Sequence, residues 1–427
     1  MTVRQNEIHI HPKIPVSKIR EQGNFFVFGT TGGGKSTVIK PLVQQVLQRG
    51  ARVFIFDEKK EYTAQFFNPV TTTLIAAWDK RGTPWNICQD ANDRQAITLI
   101  SECLLKIVEG RDEIWIKGAR LLLRGMMMWL LHLRKPWGWS ELAALLTLEQ
   151  SKMQKILFRC FPMAAQFIQD ESKTTQGFYV QLISELDWIE ELAIAWPKSY
   201  EKSFSMREWA TKPSTKHVLL IQADQRFSNI GNPLCSALIS LLTRFYLAQP
   251  EANASETWLF IDEAASLPPT PSLMKWLELA RSRGGRAVIG TQSLSQLRSI
   301  YGTEPANTLL NLTTNVIAMR MGAAGQEAEF TAGIFQKRIV ERPNQRGENA
   351  SWSQSEEWVV SPSDLVQIPP ASTKGLWGYL MVPGWGAVYK LQWPLFQQPP
   401  MARESIPATW TYNTKTTRQA SKINITK

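Results

Sequence analysis

Short apolar runs alternate with amphipathic stretches along most of this chain. Phe25-Phe26-Val27-Phe28 is continuously apolar, as a strand buried on both faces would be, and apolar residues then recur at helical spacing through Val38, Ile39, Leu42, Val43, Val46 and Leu47. Arg52-Val53-Phe54-Ile55-Phe56 reads as a second strand ending at Asp57, so residues 24–80 read β-α-β. From about 92 to 209 the pattern turns helical, through Ala96-Ile97-Leu99-Ile100-Cys103-Leu104 and again through Val180, Ile183, Leu186 and Ile189, with no strand of comparable quality. Strand signals resume at 217–221, 258–261, 286–290 and 315–319, with helices at 233–248 and 272–283 between them.

Alternating strands and helices imply an α/β fold with a parallel sheet covered on both faces and a ligand at the carboxyl ends of its strands. The helical block interrupts that sheet in sequence and is therefore expected as an insertion. The expected domains are 13–91 and 210–395 as two parts of a nucleotide-binding domain, 92–209 as an inserted all-α domain, and 396–427 as a disordered tail. The tail is rich in Pro, Thr, Asn and Lys and keeps no apolar period. Polar residues from Arg342 to Glu357 predict a mobile loop. Pro383-Gly384-Trp385-Gly386, flanked by 379–382 and 387–391, predicts a hairpin. There is no internal repeat.

Composition narrows the class. The 427 residues exceed the usual single domain, and 44% hydrophobic residues with 17 Trp supply a sizeable core. A formal net charge of +11 favours a polyanionic partner, with a membrane surface or nonspecific basicity as competing readings. Cys88, Cys103, Cys160 and Cys235 lie far apart, which indicates neither a zinc ribbon nor a disulfide framework and makes a reducing, cytoplasmic setting the expectation. The apolar run 119–133 is shorter than the about 20 residues that span a membrane and carries Arg120, Arg124 and His132, so its Met126-Met127-Met128 cluster reads as a core helix.

The candidate chemistry starts at Gly29-Thr30-Thr31-Gly32-Gly33-Gly34-Lys35-Ser36, which fits the P-loop pattern directly after an apolar strand. Glycines let the backbone curl so that N–H groups point at phosphate oxygens, and the helix starting near Lys35 adds its positive end. Lys35 would bridge the β- and γ-phosphates of a nucleoside triphosphate, Ser36 would hold Mg²⁺, and Thr37 completes the binding stretch. Thr257 to Ile261 is an apolar strand ending in Asp262-Glu263, the Walker B pattern. Consecutive side chains diverge at a strand's end, so Asp262 can approach the metal while Glu263 faces the attacking water.

In order along the chain, the P-loop, the Asp57 strand end, Phe204-Ser205-Met206-Arg207-Glu208-Trp209, Asp262-Glu263, Leu279-Ala280-Arg281-Ser282-Arg283-Gly284-Gly285 and Gly290-Thr291-Gln292-Ser293-Leu294-Ser295-Gln296-Leu297 resemble the type IV coupling proteins of the TraD and TrwB kind, within the HerA/FtsK-type motors. The likeness runs from about 13 to 395 and includes the closing hairpin. It implies a RecA-like P-loop NTPase fold and a DNA-dependent ATPase, with ATP and Mg²⁺ as ligands. It further implies a homo-hexameric ring that hands relaxosome DNA to a type IV secretion channel in conjugation, with the relaxase and channel as partners. It casts Lys35, Ser36, Asp262 and Glu263 in the roles above, Gln292 as the polar sensor of the γ-phosphate, and Arg281 as a finger reaching the neighbouring subunit, with Arg283 and Arg320 as substitutes.

Most such proteins carry an N-terminal membrane anchor, whereas here the P-loop arrives by residue 29 with no span before it. That implies an anchorless member, recruited by a separate membrane protein to the inner face of the membrane, or a chain whose anchor has been removed. Lys59, Lys60 and the Arg342–Arg346 stretch are candidate DNA-gripping pore loops or solvated turns. Other readings are a genome-packaging or defence ATPase of the same superfamily, and a substrate receptor that uses nucleotide only to assemble.

Overall fold

The computed structural model describes residues 7–107, 113–168, 172–322, 326–343 and 352–412. They hold β1 (Ile8–His11), β2 (Ile14–Val16), β3 (Phe25–Phe28), β4 (Arg52–Asp57), β5 (Thr72–Ile75), β6 (Val218–Gln222), β7 (Thr257–Ile261), β8 (Gly285–Thr291), β9 (Asn315–Ala318), β10 (Lys337–Pro343), β11 (Trp352–Trp358), β12 (Leu376–Met381) and β13 (Val388–Trp393). Two compact units share them, with β4 beginning in the first and ending in the second.

The first unit comprises Met1–Phe54, Ser255–Pro269 and Trp276–Pro399. Its strands run β13-β12-β9-β3-β8-β7. β3 lies between β8 and β9 and is parallel to both, Phe26 facing Ile289 on one side and Val316 on the other. β7 continues the parallel set beside β8. All four residues of β3 are buried, as a strand covered on both faces requires. β12 reverses direction against β9, and β13 closes the expected hairpin against β12.

In the second unit β4, β6 and β5 follow one another, with β5 parallel to β6. Helix Ser228–Leu247 is buried along most of its length and packs against helix Arg94–Leu104. That packing makes the compact units differ from the expected domain borders: residues 55–91 and 210–254 group with the helical block instead of leaving 92–209 on its own. The block contains helices and no named strand among its described residues. Asp90 fastens its end, accepting from Ser205 Oγ (2.7 Å), Met206 N (2.8 Å), Arg207 N (3.0 Å) and Trp85 Nε1 (2.7 Å). The Phe204-to-Trp209 stretch is thus a structural clasp.

Three further expectations differ from the structure. Helix Lys173–Leu186 forms, but Val180 and Ile183 are exposed and Phe178, Leu182 and Leu186 make the buried face. The expected loop of 342–357 is partly sheet: β10 and β11 pair antiparallel, joined by the Arg342–Glu357 ion pair at 2.6 Å, and residues 344–351 lie outside the described residues. The tail is held where it is described: Met401 N and Ala402 N donate to Ala64 O, Lys80 N to Ile406 O, and Trp410 Nε1 to Ala77 O, while 413–427 lie outside the described residues. The hairpin β1-β2 and strand β5 carried too few apolar residues to be read. Among the described residues no helix is long and apolar enough to cross a membrane.

Candidate functional site

Every strand of the parallel set in the first unit ends on the same side. Gly29 follows β3, Asp262 follows β7, Gln292 follows β8 and the Met319-Arg320 pair follows β9. The loop after β3 is shaped by its glycines. Gly34 has φ 105°, and a Cβ there would stand 2.7 Å from Leu376 Cδ1; a Cβ on Gly33 would meet Thr30 O at 2.9 Å and Arg320 O at 3.0 Å. Side chains at these positions would strain the backbone or press on a carbonyl. Gly34 leads into helix Lys35–Gln48, which has no acidic residue in its first turn, leaving its N–H groups and dipole for an anion.

Lys35 and Glu263 are both buried, with Lys35 Nζ 4.0 Å from Glu263 Oε2 while donating to Gly29 O at 2.8 Å. Ser36 Oγ donates to Asp262 Oδ2 at 3.0 Å. Asp262 Oδ1 is buried with no hydrogen-bond partner among the described residues. A hydroxyl beside a carboxylate with an open oxygen fits a hard divalent cation such as Mg²⁺, which takes one or two protein oxygens and fills the rest of its shell with phosphate and water. Gly290 permits this approach of β7 to β8, since a Cβ there would lie 2.4 Å from Asp262 O.

Gln292 joins the two halves. Its backbone N–H points at Glu263 Oε1 (3.4 Å), and its Oε1 accepts from Thr31 Oγ1. The Thr291 hydroxyl also donates to Glu263 Oε1, at 3.3 Å. Sequence patterns missed three contributors. The Arg320 carbonyl accepts from Thr30 N and Thr30 Oγ1, both at 3.1 Å, and a backbone carbonyl has no residue signature. Thr291 lies within the Gly290-to-Leu297 motif, and its place in that motif assigns it no role of its own. Glu327, near the start of helix Glu327–Phe335, accepts from Leu294 N (2.7 Å), Ser295 N (3.0 Å), Ser293 Oγ (2.8 Å) and Ser295 Oγ, and so fixes the segment directly after Gln292. Burial pushes this carboxyl's pKa up, but the Ser295 and Ser293 bonds outweigh it and hold the group below the usual range.

Arg281 is not brought to this cluster. It precedes β8, a strand of seven residues whose other end carries Gln292, so at about 3.3 Å per residue roughly 20 Å separates them. It is exposed, and its Nε donates to Gln22 Oε1 at 3.0 Å. Arg283 shares that end of the strand. In the second unit Lys60 is not a solvated turn residue: it pairs with Asp224 at 2.5 Å, and the Arg226 bond together with Lys60 holds Asp224 well below the usual carboxylate range. Lys59 is exposed, Arg342 belongs to the β10-β11 ribbon, and Arg346 lies outside the described residues.

Residues 8–391 match the family model of the type IV secretion-system coupling protein DNA-binding domain. The coupling protein TraD of Escherichia coli (strain K12) is 26% identical over 414 residues, covering 92% of this chain and 56% of TraD. The chain thus spans about half the length of that curated relative. The bacterial conjugative coupling protein TrwBdeltaN70, in its unbound monoclinic form, has the same fold at a TM-score of 0.80 and 23% identity, covering 95% of this chain and 92% of that one. Plasmid coupling protein TrwB in complex with ADP and Mg²⁺ gives 0.78 and 22%, covering 94% and 92%.

Proposed function

The chain belongs to the type IV secretion-system coupling proteins, and from that membership we propose that it is an ATP-hydrolysing motor that moves DNA toward a secretion channel in conjugation. One observation carries the reading: the loop after β3 and the acids after β7 converge, with Ser36 on Asp262 and Lys35 beside Glu263. TrwB, solved with ADP and Mg²⁺, lends the ligand assignment its support.

In this reading residues 29–37 bind the triphosphate and Lys35 leaves Gly29 O to neutralise its β- and γ-phosphates. Ser36 and Asp262 would hold Mg²⁺, which supplies charge neutralisation for the transferred phosphoryl group. Glu263 accepts a proton from the attacking water, and its two contacts at the end of β8, from Thr291 and Gln292, keep it aimed. Gln292, tied to both Thr31 and Glu263, registers whether the γ-phosphate is present. Arg281, at the far end of β8, can stabilise the transition state only in a neighbouring copy, which favours a homo-hexameric ring. The net charge of +11 favours DNA as the polyanion. A relaxase and a membrane protein of the channel complete the set of partners.

The test is ATP turnover by the purified chain with and without DNA. DNA is expected to raise the rate, and Lys35→Ala or Glu263→Gln to abolish it. Turnover that ignores DNA, or persists in either variant, would refute the reading.

A further inference from the structure

The ribbon of β10 and β11 takes no part in the chemistry above, and it is exposed along nearly its whole length. In its register Lys337 faces Trp358, Ile339 faces Glu356, Glu341 faces Gln354 and Pro343 faces Trp352, so these side chains share one face. Ile339 is 66% exposed, Trp352 64% and Trp358 36%. A two-stranded ribbon is marginally stable in water by itself, and one that keeps two tryptophans and an isoleucine in solvent calls for a cover.

The charges on that face indicate what covers it. Lys337 is engaged within the ribbon: its Nζ lies 3.5 Å from Glu356 Oε2 and 4.9 Å from the centre of the Trp358 ring. Glu341 accepts from Gln354 Nε2 at 2.7 Å and makes no ion pair among the described residues. The face is therefore apolar with one uncompensated carboxylate, which repels the phosphates of DNA and suits a protein surface that is both apolar and basic. The chain itself offers such a surface. Leu279 is 53% exposed, and the turn Arg281–Arg283 that follows it holds Arg281 in solvent.

The root of the ribbon is tied to the loop that carries Gln292. Val359 N donates to Gln336 O at 3.1 Å and gathers both legs at the end of helix Glu327–Phe335, whose Glu327 holds residues 293–295. At 1.5 Å per residue this helix is about 13 Å long, which sets the distance from the ribbon's base to that loop.

We infer that this face is the docking surface for a second copy of the chain, whose Leu279 and turn Arg281–Arg283 seat on Ile339, Trp358 and Glu341. The inference rests on the motor reading, which takes Arg281 from a neighbour. Leu279 covers the apolar part of the face, Glu341 meets the basic turn, and the ribbon thereby sets where the neighbour's finger enters the site.

Photocrosslinking and turnover of the full chain with Mg²⁺-ATP and DNA test this. A p-benzoylphenylalanine placed at Ile339 should give a product of dimer mass whose crosslinked peptide lies within residues 276–286. Ile339→Ser and Glu341→Lys, both at exposed positions, should raise the protein concentration for half-maximal turnover about tenfold. Nucleotide affinity, melting temperature and the plateau rate at high protein concentration should stay as in the wild type. A crosslink to DNA, to another peptide or only within one copy overturns the docking surface, as does an unchanged concentration dependence. A wild type that sediments as a monomer and hydrolyses ATP at a rate per chain independent of concentration overturns instead the ring reading beneath it.

Discussion

Asp57 shows how a single carboxylate can set a pH response. It ends β4, is fully buried, and accepts from Thr63 N (2.6 Å) and Thr63 Oγ1 (2.7 Å) through Oδ2. Burial pushes its pKa from 3.8 up to about 6, against those bonds. Between these values the folded chain holds a proton that the unfolded chain has released, so the group's contribution is present below about pH 4 and is lost as pH rises through 6. Asp57→Asn should therefore melt close to the wild type at pH 4 and above it at pH 7, by an amount worth on the order of 3 kcal/mol. An offset equal at both pH values would contradict this. At this scale the sequence disclosed the groups whose chemistry demands a residue type: the glycines at 33 and 34, Lys35, Ser36 and the paired acids. It hid what backbone atoms do, as at the Arg320 carbonyl, and what burial does, as at Asp57.

At the scale of elements, the loop after β8 depends on another helix for its shape. Glu327 caps helix Leu294–Tyr301 from outside it and so holds the chain just past Gln292. Because hydrogen bonds keep this carboxyl below its ordinary range, the stabilisation is present above that range and is lost as pH falls. Glu327→Ala should speed amide exchange across residues 293–298 and cost about 1 kcal/mol, a figure kept low because the group is partly exposed. Exchange unchanged there would show that the helix caps itself. Strands and helices with a clean apolar period were legible, β3 and helix Lys35–Gln48 among them. The β10-β11 ribbon was not, because Trp-Ser-Gln-Ser-Glu-Glu-Trp gains its strand character from cross-strand pairs such as Lys337 over the Trp358 ring and Gln354 with Glu341. Helix Lys173–Leu186 was legible as a helix but not in its facing, since Val180 and Ile183 look apolar and lie outward.

At the scale of the molecule, the site gathers its groups from one unit of one chain, and the proposed motor takes Arg281 from a neighbouring copy. Arg281→Ala should leave ATP affinity unchanged and remove turnover. Mixed with Glu263→Gln subunits, it should regain part of that turnover, because a mixed ring contains interfaces at which both groups are intact. No recovery on mixing would argue against a shared site. The tail was illegible for a related reason. Its order comes from distant partners, Ala64, Ala77 and Lys80, and no local period encodes them.

The central claim is that the loop lysine segment and the paired acids meet on one magnesium-bound triphosphate. The most direct measurement is the gain in ATP affinity that Mg²⁺ confers on the wild type, Ser36→Ala, Asp262→Asn and the double variant. Each single substitution should remove most of the gain, and the double variant should lose little more, since both oxygens serve one ion. A full magnesium gain in Asp262→Asn, or losses that simply add, would contradict the account.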